Sequence, residues 1–414
     1  MAYPAPVGAG VLTGTEITQL GYVSLANYLK NKPIDQVAQQ RPLLKALMAK
    51  KRPWGGGVGA TGGRMIVEQV RMQYGNGDPS AFTGSAFKWF GDTGTNVSDT
   101  LNFNTRDPVR QVFYPWNSAH DGFQFSEDYL LGNGILINDS QSPKNSSDAS
   151  LVQLTNIFNE AMDVLRLGFE EMMDISLHLD GQWTVGSAPT ANATINGLDF
   201  LVNFDPTTGT VGGIPRATNA WFQNQWDFGR GLNTVGAGPA PYAHADLLAA
   251  MHKMWRYCQK NGGSPNFILA GEDFIKGYEL ASVNGTSAAM SRYAVQPSAS
   301  DRPWNVDASL EIKDSGTFTG MFFQGVPIFW DPTFSDCELI DGGVSQNKTV
   351  PWAKRCYFLN MNHLSLRPIE GNDMIARKPP REHNKLVYYW GLTWRGALTM
   401  NRANCHGVIA ASGA

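Results

Sequence analysis

Charge is scarce in this chain. Asp, Glu, Lys and Arg make up 17% of its 414 residues, against about a quarter in an ordinary globular chain. Aromatics stand at 11%, with 12 Trp. Few charges beside many aromatics point to a surface covered by something other than water, as in extensive oligomer interfaces. A loop-rich enzyme with a large core shares this composition. The net charge of −3 decides nothing about nucleic acid. Cysteine is also sparse. Cys258, Cys337, Cys356 and Cys405 are far apart and form no CxxC pair, which fits free thiols in a reducing compartment. No apolar run approaches the ~20 residues of a membrane span. The opening MAYPAPVGAG has neither a basic n-region nor an apolar h-region. The expectation is a soluble chain made in cytoplasm, with no membrane partner.

Motifs for chemistry are missing as well. The seven histidines (His120, His178, His244, His252, His363, His383 and His406) form no HExxH set, and only His244 and His252 are close in sequence. There is no GxSxG, no GxxxxGK[ST] and no EF-hand loop. Asp336, Glu338 and Asp341 surround Cys337 and read as a solvated loop or a weak metal site. Gly57, Gly59 and Gly62 have GxGxxG spacing, but a basic helical piece precedes them and β-formers follow. A dinucleotide loop needs the reverse order, so they read as a flexible joint. The expectation is no catalytic, cofactor or metal site.

What is present is one long amphipathic stretch over residues 150–180. A heptad position collects Leu151, Phe158, Leu165, Met172 and Leu179, and its partner collects Leu154, Ala161, Gly168 and Ile175. This spacing predicts a helix. Ile157, Met162, Val164 and Phe169 widen the stripe beyond a coiled-coil seam. Ser146, Ser147 and Asp148 offer N-caps, and Asp180-Gly181 a stop, which gives a helix over 148–180.

Residues 1–54 read as an arm too poor in apolar residues to fold alone. Seven basic and two acidic residues give it +5, leaving −8 for the rest of a chain of net −3. The basic cluster faces an acidic partner or interior, or is a solvated helix face. A strand over 64–74 runs into the turn signal Gly75-Asn76-Gly77-Asp78-Pro79. An excursion with Phe82, Phe87, Trp89 and Phe90 follows, and a second strand returns over 109–116. A two-stranded projection of this kind needs a neighbour to lie on. Residues 117–149 read as a mixed connector with a short helix near 126–131. Farther on, Leu247, Met251, Met254 and Cys258 share a helical face, SPNFILA is a buried strand and GEDFIKGYELA a helix. The last hundred residues are mostly β.

The order of these parts, together with several local segments, resembles the major capsid protein of tailed bacteriophages, the Hong Kong 97-type fold. Gly212-Gly213-Ile214-Pro215-Arg216 followed by Trp221 is similar to the family's GGI-x-R…W segment, with Pro215 where Asp is usual. Gln324-Gly325-Val326-Pro327-Ile328 with Asp331-Pro332, and Tyr357-Phe358-Leu359-Asn360 with Leu364-Ser365-Leu366, resemble two of its strands. Trp394 through Asn401-Arg402, ending at His406, resembles its C-terminal strand pair.

The resemblance implies an α+β chain with an N-terminal arm (1–54), an extended β-hairpin loop (55–116), a peripheral domain with the spine helix (117–205), an axial domain (206–352) and a return to the peripheral domain (353–414). It implies a non-enzymatic shell subunit forming hexamers and pentamers around packaged double-stranded DNA. A separate scaffolding protein, a portal, and an option for decoration proteins come with it, as does a location in the virion after assembly in host cytoplasm. The assembly residues it suggests are Leu151, Leu154, Phe158, Leu165, Gly168, Met172 and Ile175 on the helix, and Phe87, Trp89 and Phe90 in the projection. An encapsulin-like compartment shell and a cytoplasmic enzyme with a site assembled from scattered residues are the alternatives.

Overall fold

β-branched and aromatic residues account for the first ladder of the computed structural model. It describes residues 39–55, 65–71, 109–132, 148–181, 194–229, 231–233, 242–260, 262–284, 318–340, 350–377 and 387–411. These fall into two compact units. The smaller draws on residues 118–173 and 371–395, the larger on 40–117, 174–370 and 396–414.

In the larger unit, Pro42 starts helix α1 (Pro42–Ala49), whose Leu43, Leu44, Ala46 and Leu47 are buried. Proline suits a first helical turn because its missing N–H would be unpaired there anyway. Strands β1 (Met65–Arg71) and β2 (Val109–Pro115) pair antiparallel, Met65 opposite Pro115 and Arg71 opposite Val109. The predicted continuation of β1 to residue 74, the turn and the glycine joint lie outside the described residues.

The core of this unit is a six-stranded mixed sheet. It is built from β6 (Gln225–Asp227), β7 (Phe267–Ala270), β8 (Phe318–Phe323), β9 (Val326–Trp330), β10 (Arg355–Leu359) and β14 (Gly407–Ala410), in the order β6-β14-β10-β7-β9-β8. Strands β7, β10 and β14 are buried along their whole length, as their largely apolar runs require. Gln324 and Gly325, at φ 51° and 81°, turn β8 into β9 in two residues. Positive φ at both positions is what a two-residue hairpin demands.

Two helices cover this sheet, α5 (His244–Gln259) and α6 (Glu272–Asn284). The predicted face of α5 (Leu247, Met251, Met254 and Cys258) is buried with Phe274 and Tyr278 of α6 against Ile268, Phe323, Phe358 and Ile409. Burying each such side chain contributes about 1.5–3 kcal/mol. Two short strands, β4 (Thr210–Val211) and β5 (Ile214–Pro215), form a tight hairpin after the one-turn helix α4 (Leu198–Leu201). Helix α7 (Thr333–Ile340) follows β9. Asp336, Cys337 and Glu338 therefore sit on a helix, which corrects the loop reading. Cys337 points into the core because it lies on the helix's buried side, and Asp341 lies outside the described residues.

In the smaller unit, β3 (Asn117–Ser126) leads into α2 (Glu127–Gly132), with Ser126 Oγ accepting the Tyr129 N–H. The strand was not expected. Most of its residues are exposed, so no apolar alternation marks it; pairing with β13 (Val387–Met400) holds it in place. Strand β12 (Ile375–Arg377) pairs with the Gly391–Thr393 stretch of β13. The later part of β13 pairs with β11 (Leu364–Pro368) in the larger unit. The long helix α3 spans Asp148–His178, two residues short of the predicted end. Gly181, at φ 77°, turns the chain away behind it.

Candidate assembly surface

Neighbouring residues on a strand face opposite ways, and the β1–β2 ladder sorts its side chains accordingly. Ile66, Val70, Val112 and Tyr114 are buried on one face, while Met65, Val67, Val109 and Phe113 stay 38–49% exposed on the other. The inner face is firmly held. Tyr114 donates its hydroxyl to the Met400 carbonyl at 2.6 Å, and burial pushes its pKa well above the usual phenol value. Glu68 pairs with Arg367 and accepts the Thr399 hydroxyl. Gly212, at φ 59°, takes the Phe113 N–H on its carbonyl at 2.9 Å. A Cβ there would lie 2.0 Å from a Val112 methyl carbon, so the β4–β5 hairpin rests on β2 through a glycine that no other residue can replace. A rigidly anchored strand pair thus presents a row of apolar side chains to water.

Helix α3 has two apolar faces. Leu165, Phe169 and Met173 form a buried row at i, i+4 spacing, with Ile157 two turns earlier. Phe158, half-buried, meets Trp390 edge-on at 4.6 Å and Phe123 at 5.9 Å. Val164, Leu167 and Met172, by contrast, are exposed at 60%, 44% and 54%. Between them Gly168 has open space where a Cβ would stand. The sequence reading placed Val164 and Met172 in the buried stripe, and the structure corrects it. A heptad position slips about 20° per repeat on a straight α-helix. Met172 is thus only about 20° round from Leu165, so the helix period does not explain its exposure; the buried row runs in i+4 steps from Leu165 through Phe169 to Met173.

The predicted assembly residues therefore separate. Leu165 and Ile175 are core and Phe158 belongs to an aromatic cluster. Gly168 and Met172 share the outward face with Val164 and Leu167. Leu151 and Leu154 fall in the first turns of α3, and Phe87, Trp89 and Phe90 lie outside the described residues. The outer row Met65, Val67, Val109 and Phe113 was missed, although strand alternation alone could have found it. Among the described residues of α3, Arg166 pairs with Glu170 at 3.1 Å, worth a few tenths of a kcal/mol.

Buried ionic groups cluster elsewhere in the larger unit. Arg355 pairs with Asp199 at 3.0 Å and lies over the Trp352 ring at 3.9 Å. His178, Asp174 and Asp331 meet with all three fully buried. Burial drives the Asp174 pKa up to about 6. Burial also pulls that of His178 down, but the Asp331 and Asp174 carboxylates outweigh it and lift the value to about 9. A substrate cannot reach groups so enclosed, so this constellation is structural. His406, also buried, accepts the Asn360 N–H on Nδ1, and burial lowers its pKa to about 3. All four cysteines are free and buried, with thiol pKa values raised by burial. Among the described residues, no helix is long and apolar enough to cross a membrane.

No protein-family model matches the chain, and no curated protein matches it in sequence. Solved structures do. The capsid asymmetric unit of cyanophage A-1(L) is similar over 94% of this chain and 98% of its own, at 17% identity and a TM-score of 0.54. The capsid of Myoviridae phage XM1 (10% identity, 97% and 99% covered, TM-score 0.44) and an encapsulin of Synechococcus elongatus (11%, 94% and 95%, TM-score 0.42) also align. The chain has the α+β Hong Kong 97-type capsid fold.

Proposed function

We propose that this chain is the major shell subunit of a tailed bacteriophage, assembling with copies of itself into a closed icosahedral capsid around double-stranded DNA. One observation carries the reading. The likeness to the cyanophage A-1(L) capsid chain runs over 94% of this chain and 98% of that one, a whole subunit rather than a shared module. The outward apolar rows on β1–β2 and on α3 support it, because contiguous exposed apolar surface marks contact with another chain.

On this reading residues 1–54 are the arm, 55–116 the extended hairpin loop, 117–205 the peripheral domain on its spine helix, 206–352 the axial domain and 353–414 the return. The role is structural, not catalytic. The subunits form hexamers and pentamers, a separate scaffolding protein and a portal take part, and DNA is held by non-specific contact. The protein resides in the virion after assembly in host cytoplasm. Negative-stain microscopy and size-exclusion chromatography of the full chain, expressed with and without the scaffolding protein, test the proposal. Megadalton closed particles are the expected result. A stable monomer or dimer under both conditions overturns it, and particles loaded with a protein cargo favour a compartment shell over a phage head.

A further inference from the structure

The C-terminal turn of α3 brings Asp174 and His178, four residues apart, against Asp331 at the end of β9, more than 150 residues farther along the chain. One ligand atom from each lies within 4.8 Å of the others, and all three residues are fully buried. Their hydrogen bonds leave a gap in the chemistry. His178 Nδ1 lies 2.8 Å from the Asp174 backbone carbonyl and, since a carbonyl only accepts, Nδ1 carries the proton. In the neutral ring Nε2 then offers a lone pair, and it faces the Asp331 Oδ2 carboxylate oxygen at 2.9 Å. Either a second proton on the ring, which its raised pKa of about 9 allows, or a metal ion satisfies that pair. Asp174 Oδ2 accepts the Thr333 hydroxyl at 2.7 Å, and Asp331 Oδ1 accepts the Thr333 N–H at 3.0 Å. Asp174 Oδ1 has no hydrogen-bond partner among the described residues and lies 3.9 Å from His178 Nδ1, although it is shut away from water. A buried carboxylate oxygen left unpaired is costly.

We propose that Asp174, His178 and Asp331 form a structural site for a first-row divalent cation of zinc type. Charge permits it: two carboxylates and a neutral imidazole carry −2, against which Arg41 sets one positive charge and a metal ion or a proton on the ring sets the rest. Ligand chemistry favours it too. Imidazole with carboxylates suits zinc, and a ligating histidine commonly donates its other N–H to a backbone carbonyl, as His178 does. The 2.9 Å edge between Nε2 and Oδ2 matches bonds of about 2.0–2.1 Å meeting at about 90°. Tetrahedral coordination needs that edge to open to about 3.3 Å and Asp174 Oδ1, 3.9 Å from His178 Nδ1, to move in. The ion would tie the end of α3 to the β9–α7 junction, and binding would be part of folding. The inference is independent of the shell reading, since a monomer would carry the same site.

The test is elemental analysis of the full chain purified without chelator, followed by EDTA treatment and addition of Zn2+ or Mg2+ with thermal unfolding as readout. About one zinc per chain is expected, with a midpoint that falls on chelation and returns with Zn2+ but not Mg2+. Asp174→Asn should lose the metal while keeping the Thr333 hydrogen bond. If that variant does not fold, the visible spectrum of the Co2+-substituted wild type takes its place. Bands of nitrogen and oxygen coordination support the site; a thiolate charge-transfer band places the metal elsewhere and overturns it. Full zinc retention by folded Asp174→Asn overturns it as well. So does a wild-type chain that holds no zinc and shows no Zn2+-dependent shift, which means a proton alone bridges His178 and Asp331.

Discussion

The hydroxyl of Tyr114 donates to the carbonyl of Met400 at 2.6 Å, joining residues 286 apart in sequence inside the core. Tyr114→Phe keeps the ring and removes only that bond. It is expected to cost about 1 kcal/mol, read as a lower urea midpoint with unchanged slope. A cost near zero would mean that the hydroxyl is not what anchors the β1–β2 ladder.

The outward row of that ladder should matter to assembly and not to folding. Val67 and Phe113 are cross-strand partners, both more than a third exposed. Val67→Lys is expected to change the stability of the unassembled subunit by no more than about 0.5 kcal/mol. Light scattering should nevertheless show slower and less complete particle formation. Assembly at the wild-type rate would exclude this face from subunit contacts.

The two faces of α3 predict opposite outcomes. Leu165→Asp places a carboxylate in the buried row, where it costs several kcal/mol or forces its own protonation, and soluble yield should collapse. Asp163→Lys, on the exposed side, should be tolerated within about 0.5 kcal/mol. Gly168→Ala should stabilise the isolated subunit by about 0.5–1 kcal/mol, the gain of alanine over glycine in a helix, because the methyl meets nothing within 4 Å. A neighbour's backbone seated there would reverse the sign in the particle. Calorimetry of subunit and particle side by side separates the two effects.

His406 makes folding sensitive to acid. Its folded pKa, lowered by burial to about 3, lies below the unfolded value of about 6.5. Neutral His406 therefore contributes stability that is complete above about pH 6.5 and is lost progressively as pH falls toward 3. The integrated loss is on the order of a few kcal/mol. Denaturation of the unassembled subunit between pH 7.5 and 5 checks this, with the difference from His406→Gln isolating the residue. A variant whose stability falls with pH as steeply as the wild type's would show that His406 is not the group responsible.

The long helix and the α5 face were legible because burial there repeats at helical spacing. Leu247, Met251, Met254 and Cys258 all reached the core as expected. Strand β3 was not legible, since its order comes from a partner strand 270 residues away and leaves no apolar pattern of its own. Met172 shows a finer limit. It lies only about 20° around the helix from Leu165, so periodicity puts it in the buried stripe, and its exposure depends on where packing on α3 stops, which periodicity does not encode. The Asp174–His178–Asp331 cluster was invisible because only the fold brings Asp331 to α3. The outer row of the ladder is implicit in strand geometry, since residues two apart share a face, but a composition rich in β-formers names a strand without saying what covers its second face.

The burial of Cys258, Cys337, Cys356 and Cys405, thiols held neutral inside a closed core, gives the subunit a chemical memory. A protonated, enclosed thiol is a poor nucleophile, so an aromatic disulfide reagent or iodoacetamide has nothing to react with while the core is shut. Each opening of the chain exposes thiols to irreversible alkylation, so the mass added over time counts excursions from the native state. Cys258 and Cys356 lie together in the core of the larger unit, and their labelling together would time the opening of that core without any introduced probe.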